Sequence, residues 1–388
     1  MKLENIRKKT QIGEDKSSSI NRIIFTVLGN VLIISKFGLN TGGDGGVTLP
    51  ALLEFPKVDG VASVSILPLT ILKLFQVNSL PELALFHLIL TLAFSSLVFW
   101  KISCQHSSVR LLLLAAVIGA PVTIELLNLV GIFDLFTIIG WYLYLISKNN
   151  WSLVFGILFI SLSDPPQVPF SCLLLYLFSV GNPTLIDKSK LIKLSFFSIT
   201  SYMLIELWLS LNNASGFLNQ NGGYELFGTD TKSFLLNSTF EFVRNMPNSL
   251  ISIYGLFWIP VLLFVINLKR EQIIWSLSSL ILIPVFLAVI FIDSTRIATN
   301  IAFPIVVVAS FNYFKSISEY QLRSQGLVWF LLALFYPVNY YYAGIFINPF
   351  AGYLSLIQII FNVDSNCITD VFTPTQQEIC KNLKNLIW

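Results

Sequence analysis

Apolar residues run through this chain in long unbroken stretches. Near 22–38, 82–101, 110–127, 129–147, 151–163, 167–182, 191–211, 249–268, 272–293, 297–314 and 326–347 the sequence is almost free of charge. Many of these runs approach the roughly 17–25 residues that a helix needs to cross a bilayer. Membrane strands would alternate with a period of two, so continuous runs argue for helices. The expected fold is an all-α polytopic membrane protein with about eleven transmembrane helices. Two further apolar stretches fit less well. Residues 61–76 carry Pro68 and Lys73, and 350–362 are short for a crossing, so both are expected to be interfacial or re-entrant. The runs 151–163 and 167–182 meet at Asp164-Pro165-Pro166, where proline stops a helix and suits a re-entrant hairpin.

Composition agrees. Of 388 residues 55% are hydrophobic and 12% charged, about half the roughly 25% charge of a soluble domain. Mean hydropathy is +0.75. The charges that remain are unevenly placed. Lys2, Arg7, Lys8, Lys9, Lys16 and Arg22 crowd the start, which puts the N-terminus in the cytoplasm. The alternation of spans then places Lys101, Arg110, Lys148, Lys188, Lys190, Lys193, Lys269, Arg270, Lys315 and Arg323 on the same side. The basic N-terminus reads as an orientation signal and a lipid-headgroup contact, with no nucleic acid as partner. No small-residue cleavage site follows the first run, so an uncleaved first span is expected. The chain divides into a basic segment 1–21, a module 22–210 with outer loop 39–81, an outer loop 211–248, a second module 249–362 and a polar tail 363–388.

Acids collect on the opposite side. Asp44, Glu54 and Asp59 lie in the first outer loop, Glu125 and Asp164 at short turns, and Asp293 with Arg296 at another turn. Asp44 has two glycines on each side, which lets a ligand approach the backbone closely; a plain surface turn is the simpler reading. Asp293 and Arg296 are three apart and also suit a simple pair capping the next helix. Asp134 enters a span one turn or so from its start, which is costly without a partner or a wet cavity. The four cysteines and two histidines form no metal-ligand spacing, so no His/Cys metal site is expected. Cys367 and Cys380 suit a disulfide if the tail lies outside.

The order of these features is recognisable. A first span is followed by an acid-bearing outer loop with a surface helix. Next come Gly131-Ile132-Phe133-Asp134 entering a span, then Trp151 with Gly156, then the Pro165-Pro166 turn. Over residues 22–210 this resembles the GT-C superfamily of integral membrane glycosyltransferases, in particular mannosyltransferase-like members that use polyprenyl-phosphate-linked sugars. Two positions differ from that pattern. The first loop lacks an adjacent acidic pair, and Asp164 stands where a lysine is common at the proline turn.

The resemblance implies a GT-C-like fold in a bacterial cytoplasmic membrane. It also implies transfer, on the outer face, of a sugar from a polyprenyl-phosphate-linked donor to a glycan or lipid-linked acceptor. Such chemistry needs a base for the acceptor hydroxyl and negative charge near an oxocarbenium-like centre. It also needs a cation for the departing phosphate. Asp44 is the expected base and Arg296 the donor-phosphate ligand, with Asp293 orienting it or contacting the sugar. Glu125 and Asp134 are cavity acids or ligands of a divalent cation, magnesium or manganese. Tyr224, Glu225, Asp230 and Arg244, in a loop rich in aromatics and amides, are candidates for the acceptor site. Tyr340–Tyr342 belong to an aromatic cluster that reads as an interfacial belt. A transporter or flippase for lipid-linked oligosaccharide, and a non-catalytic membrane scaffold, remain alternatives.

Overall fold

A computed structural model describes residues 19–37, 45–55, 65–105, 107–128, 132–146, 150–182, 187–211, 239–240, 242–244, 246, 248–290, 294–316, 319–335, 340–342 and 345–347. The chain is almost wholly helical there. In order come α1 (Ser19–Phe37), α2 (Gly45–Glu54), α3 (Ile66–Leu74), α4 (Leu80–Ser103), α5 (Ser107–Ile118) and α6 (Pro121–Asn128). Then follow α7 (Ile132–Ile146), α8 (Asn150–Ser163), α9 (Val168–Gly181), α10 (Lys188–Leu211) and α11 (Asn248–Tyr254). A 3-10 turn (Gly255–Phe257) leads to α12 (Trp258–Ile266) and α13 (Arg270–Leu277). A π-helical turn (Ser278–Leu282) joins α13 to α14 (Ile283–Ile290), and α15 (Ser294–Ser316) and α16 (Glu319–Phe335) complete the helices. Strands β1 (Tyr340–Tyr342) and β2 (Ile345–Ile347) pair antiparallel, Tyr340 opposite Ile347.

Among the described residues five helical stretches are long and apolar enough to cross a membrane: Ser19–Lys36, Pro81–Ser103, Lys188–Leu211, Ser249–Ile266 and Arg270–Val289. Shorter apolar helices occupy the other predicted runs. At 1.5 Å per residue the 14-residue α8 and α9 are each about 21 Å long, less than a hydrocarbon core of about 30 Å. α10 shows what surrounds this bundle. Leu191, Leu194, Ser198, Ser201, Ile205, Glu206 and Leu209 face inward, while Ile192, Phe196, Met203, Leu204 and Leu207 are exposed. The middle of this helix exposes apolar side chains and turns Ser198, Ser201 and Glu206 inward, which fits a lipid surrounding.

Several expectations change in detail. The run 110–127 is two helices, because Pro121 lacks an amide hydrogen and restarts the chain as α6. The run 249–268 breaks at Gly255, whose φ of 54° a residue with a Cβ rarely adopts. The last run ends as a helix at Phe335, and Tyr340–Tyr342 instead pairs as a strand with Ile345–Ile347. The second glycine pair of the first loop begins α2, where a turn was expected. Residues 350–362, Cys367 and Cys380 lie outside the described residues.

Small residues and buried polar groups join the helices. Gly140 of α7 and Gly156 of α8 pack backbone to backbone. A Cβ on Gly140 would lie 2.8 Å from Ile160 N, and one on Gly156 2.8 Å from Tyr144 N. Without a hydrophobic drive between helices in lipid, such close approach is what holds them together. Asn30 of α1 donates to Ser96 Oγ of α4 at 3.0 Å. Lys36, fully buried, donates to the Ile118 carbonyl at 3.0 Å and also to that of Ala333, so it ties α1 to the ends of α5 and α16. The α5–α6 break also meets the 3-10 turn: Leu256 N donates to Gly119 O at 3.1 Å. Each interruption therefore supplies what the other's freed backbone lacks.

Candidate functional site

Asp134 sits in the first turn of α7 and is 2% exposed. Its Oδ1 accepts a hydrogen bond of 2.7 Å from Asn300 Nδ2 of α15. A carboxylate can only accept here, so the amide nitrogen must face it and the amide oxygen points elsewhere. That oxygen, Asn300 Oδ1, is buried and has no partner among the described residues. The helix carrying Asn300 is anchored by the preceding residue, whose Thr299 Oγ1 donates to Ile253 O at 3.1 Å, just before the Gly255 break. The helix interrupted at Gly255 therefore borders the pair.

His87 of α4 lies near the same level. Its Nε2 donates to Leu126 O at 2.8 Å, and Thr91 Oγ1 donates to the same carbonyl at 3.2 Å. Leu126 stands in the last turn of α6, where carbonyls have no partner within the helix. Donation from Nε2 leaves Nδ1 as an acceptor, and it is buried without a partner among the described residues.

Inward from these groups runs an apolar cavity of about 360 Å³. Ile138 and Tyr142 of α7, Phe303 and Ser310 of α15, and Thr91 and Lys101 of α4 are among its walls. Asp134 is one turn before Ile138, Asn300 one turn before Phe303, and His87 one turn before Thr91. Leu126, Ile138, Phe94 and Phe303 share one cluster, and the Phe94 and Tyr142 rings meet edge to face at 5.4 Å. α4, α7 and α15 therefore run in the same direction along the cavity. Asp134, Asn300 and His87 mark one end, and Lys101 the other.

The predicted residues fare differently. Asp134 is buried and partnered as its cost demanded. Glu125 lies in α6 beside Leu126, and Arg296 lies in α15 one turn before Asn300; their side chains fall outside the described residues. Asp44, Asp293, Tyr224, Glu225 and Asp230 also lie outside them. Arg244 is exposed, two residues after the buried Phe242. Asp164 is half-buried in the α8–α9 turn, and Glu54 is exposed at the end of α2. Among the described residues no three His, Cys, Asp or Glu gather as a metal site. Cys104 and Cys172 are free thiols.

Asn300, His87 and Lys36 were not singled out from the sequence. Each is a polar group inside an apolar run, which is itself a signal of an interior-facing position. No protein-family model matches the chain, and no curated protein or solved structure is significantly similar to it.

Proposed function

We propose that this chain is a membrane glycosyltransferase acting on a polyprenyl-phosphate-linked sugar. The observation that carries the reading is the buried Asp134–Asn300 pair, one helical turn along α15 from Arg296. The Asn300 oxygen, without a partner among the described residues, offers an acceptor to a sugar hydroxyl beside the Asp134 carboxylate. The carboxylate also supplies negative charge near an oxocarbenium-like centre. In the transfer, the acceptor oxygen bonds to the anomeric carbon as the bond to the phosphate oxygen breaks. The bonding pair leaves with the phosphate, whose charge the Arg296 guanidinium meets. The acceptor proton passes to a carboxylate, for which Asp44 is the candidate on sequence grounds.

Lipids co-purifying with wild type, Asp134→Asn and Arg296→Ala, identified by mass spectrometry, test this. A polyprenyl phosphate or its glycoside is expected with wild type and depleted in Arg296→Ala. Asp134→Asn should retain the lipid yet fail to transfer its sugar. Bulk phospholipid alone in all three would remove the reading.

One observation favours a second reading. The interrupted helices that meet at Gly119 and Leu256 are a device by which transporters build midplane sites. Under that reading Asp134→Asn abolishes movement of a lipid-linked glycan across proteoliposomes, with no glycosidic bond formed by wild type.

A further inference from the structure

We propose that the cavity between α4, α5, α6, α7 and α15 binds one hydrocarbon chain of an anionic amphiphile, its chain toward Asp134 and its oxygen-rich head at Lys101. The polar groups of the wall divide by position. Toward Asp134 they are already satisfied. Thr91 donates to Leu126 O and Thr123 to Val117 O, while Ser95, level with Phe94 and Tyr142, donates to Asn30 Oδ1. What these leave facing the space is hydrocarbon and aromatic surface, including Phe94, Val122, Ile138 and Phe303. A sugar or nucleotide there would lose its hydration with nothing in exchange.

Toward Lys101 the opposite holds. Tyr142 Oη and Ser310 Oγ both belong to wall residues, and both are buried without a partner among the described residues. Ser310 is 2% exposed. A helical serine in an apolar setting ordinarily returns its hydrogen to a carbonyl of the preceding turn. Ser179 does so to Tyr176 O and Ser279 to Trp275 O. Ser310 does not, and a buried phenol likewise seeks a partner. Two O–H donors packed into the wall at this level, with no partner among the described residues, would be satisfied by acceptor oxygens of a ligand that reaches them.

The two donors lie at the same end. Tyr142 is about 12 Å beyond Asp134 along α7, and Ser310 about 15 Å beyond Asn300 along α15, at 1.5 Å per residue. Lys101 occupies the same end of α4, exposed at its ammonium-bearing side chain, with Gln105 one turn on. The volume of about 360 Å³ falls in the range of roughly 300–1,000 Å³ for small-molecule sites. Apolar walls, then two hydroxyl donors, then a cation match the order of groups in a fatty acid or an acidic phospholipid.

The inference does not rest on the transferase reading, because its residues stand at the far end from Asp134 and Arg296. Native mass spectrometry of the full chain, titrated separately with palmitate, phosphatidylglycerol and phosphatidylcholine, tests it. One anionic lipid is expected to bind in a single copy, and the one retained at lower concentration names the head as carboxylate or phosphodiester. Tyr142→Phe with Ser310→Ala should weaken it about fivefold or more, as two hydrogen bonds of ~0.5–1.5 kcal/mol each imply. Lys101→Gln should act in the same direction. The two hydroxyls have no partner among the described residues, so their loss should leave the melting temperature unchanged; Ser310→Ala alone serves if the double variant melts early. Phosphatidylcholine bound as tightly as either anion, or equal retention by wild type and the hydroxyl variants, would overturn the proposal.

Discussion

At the scale of single residues, the cost of burying polar groups separates the buried charges of this chain. Asp134 spends one oxygen on Asn300, and Lys36 spends its protons on carbonyls at two helix ends. The two cases predict different mutational behaviour. Asp134→Asn keeps an acceptor for Asn300 Nδ2, so its thermal stability in detergent should stay close to wild type. Asp134→Leu leaves the buried Asn300 amide with neither end paired among the described residues and should cost about 1–3 kcal/mol. Equal melting of the two variants would mean that the 2.7 Å bond contributes nothing. Lys36→Met should lower stability by a similar ~1–3 kcal/mol, because the Ile118 and Ala333 carbonyls lose that donor. Limited proteolysis near the α5 and α16 ends should quicken with it.

At the scale of elements, the structure depends on where helices stop and how closely they approach. Proline and glycine announce the stops at Pro121 and Gly255 in the sequence. That these two interruptions bond to each other, Leu256 N to Gly119 O, is a property of the packed bundle. Gly255→Ala keeps the size small but forces an alanine into a left-handed conformation. It should destabilise the protein by about 1–2 kcal/mol, read from a melting curve. The α7–α8 contact predicts a larger change. Gly156→Val places carbon against the Tyr144 backbone, where no side chain can yield, and should cost about 1–3 kcal/mol through overpacking. Because α7 carries Asp134, any transfer activity should fall with it. An unchanged melting temperature would show that α8 has room to move away.

For the whole molecule, the apolar exterior and the sidedness of the charges make one joint prediction. Asn78, exposed before α4, and Gln105, beyond its other end, should lie on opposite sides of the membrane. With Cys104, Cys172, Cys367 and Cys380 all changed to serine, an impermeant maleimide added to intact cells should label Asn78→Cys and spare Gln105→Cys until the cells are opened. The reverse pattern would invert the positive-inside assignment. Much of this architecture is legible in the chain itself. Long uncharged runs can only be helices that shed their polar backbone from lipid, so the helical class, most helix positions and the cost of Asp134 follow from sequence alone. Boundaries were less legible past Phe335, where Tyr340–Tyr342, in an aromatic run that could extend a helix, pair as a strand with Ile345–Ile347. The partners were not legible at all. Nothing in the local sequence ties Asp134 to Asn300, 166 positions away, or Lys36 to Ala333, 297 away. Hydrophobicity fixes which segments leave water, a property each segment carries by itself. Which polar groups meet, where two broken helices dock, and which hydroxyls stay free for a ligand depend on packing distant segments together, and only the tertiary structure decides them.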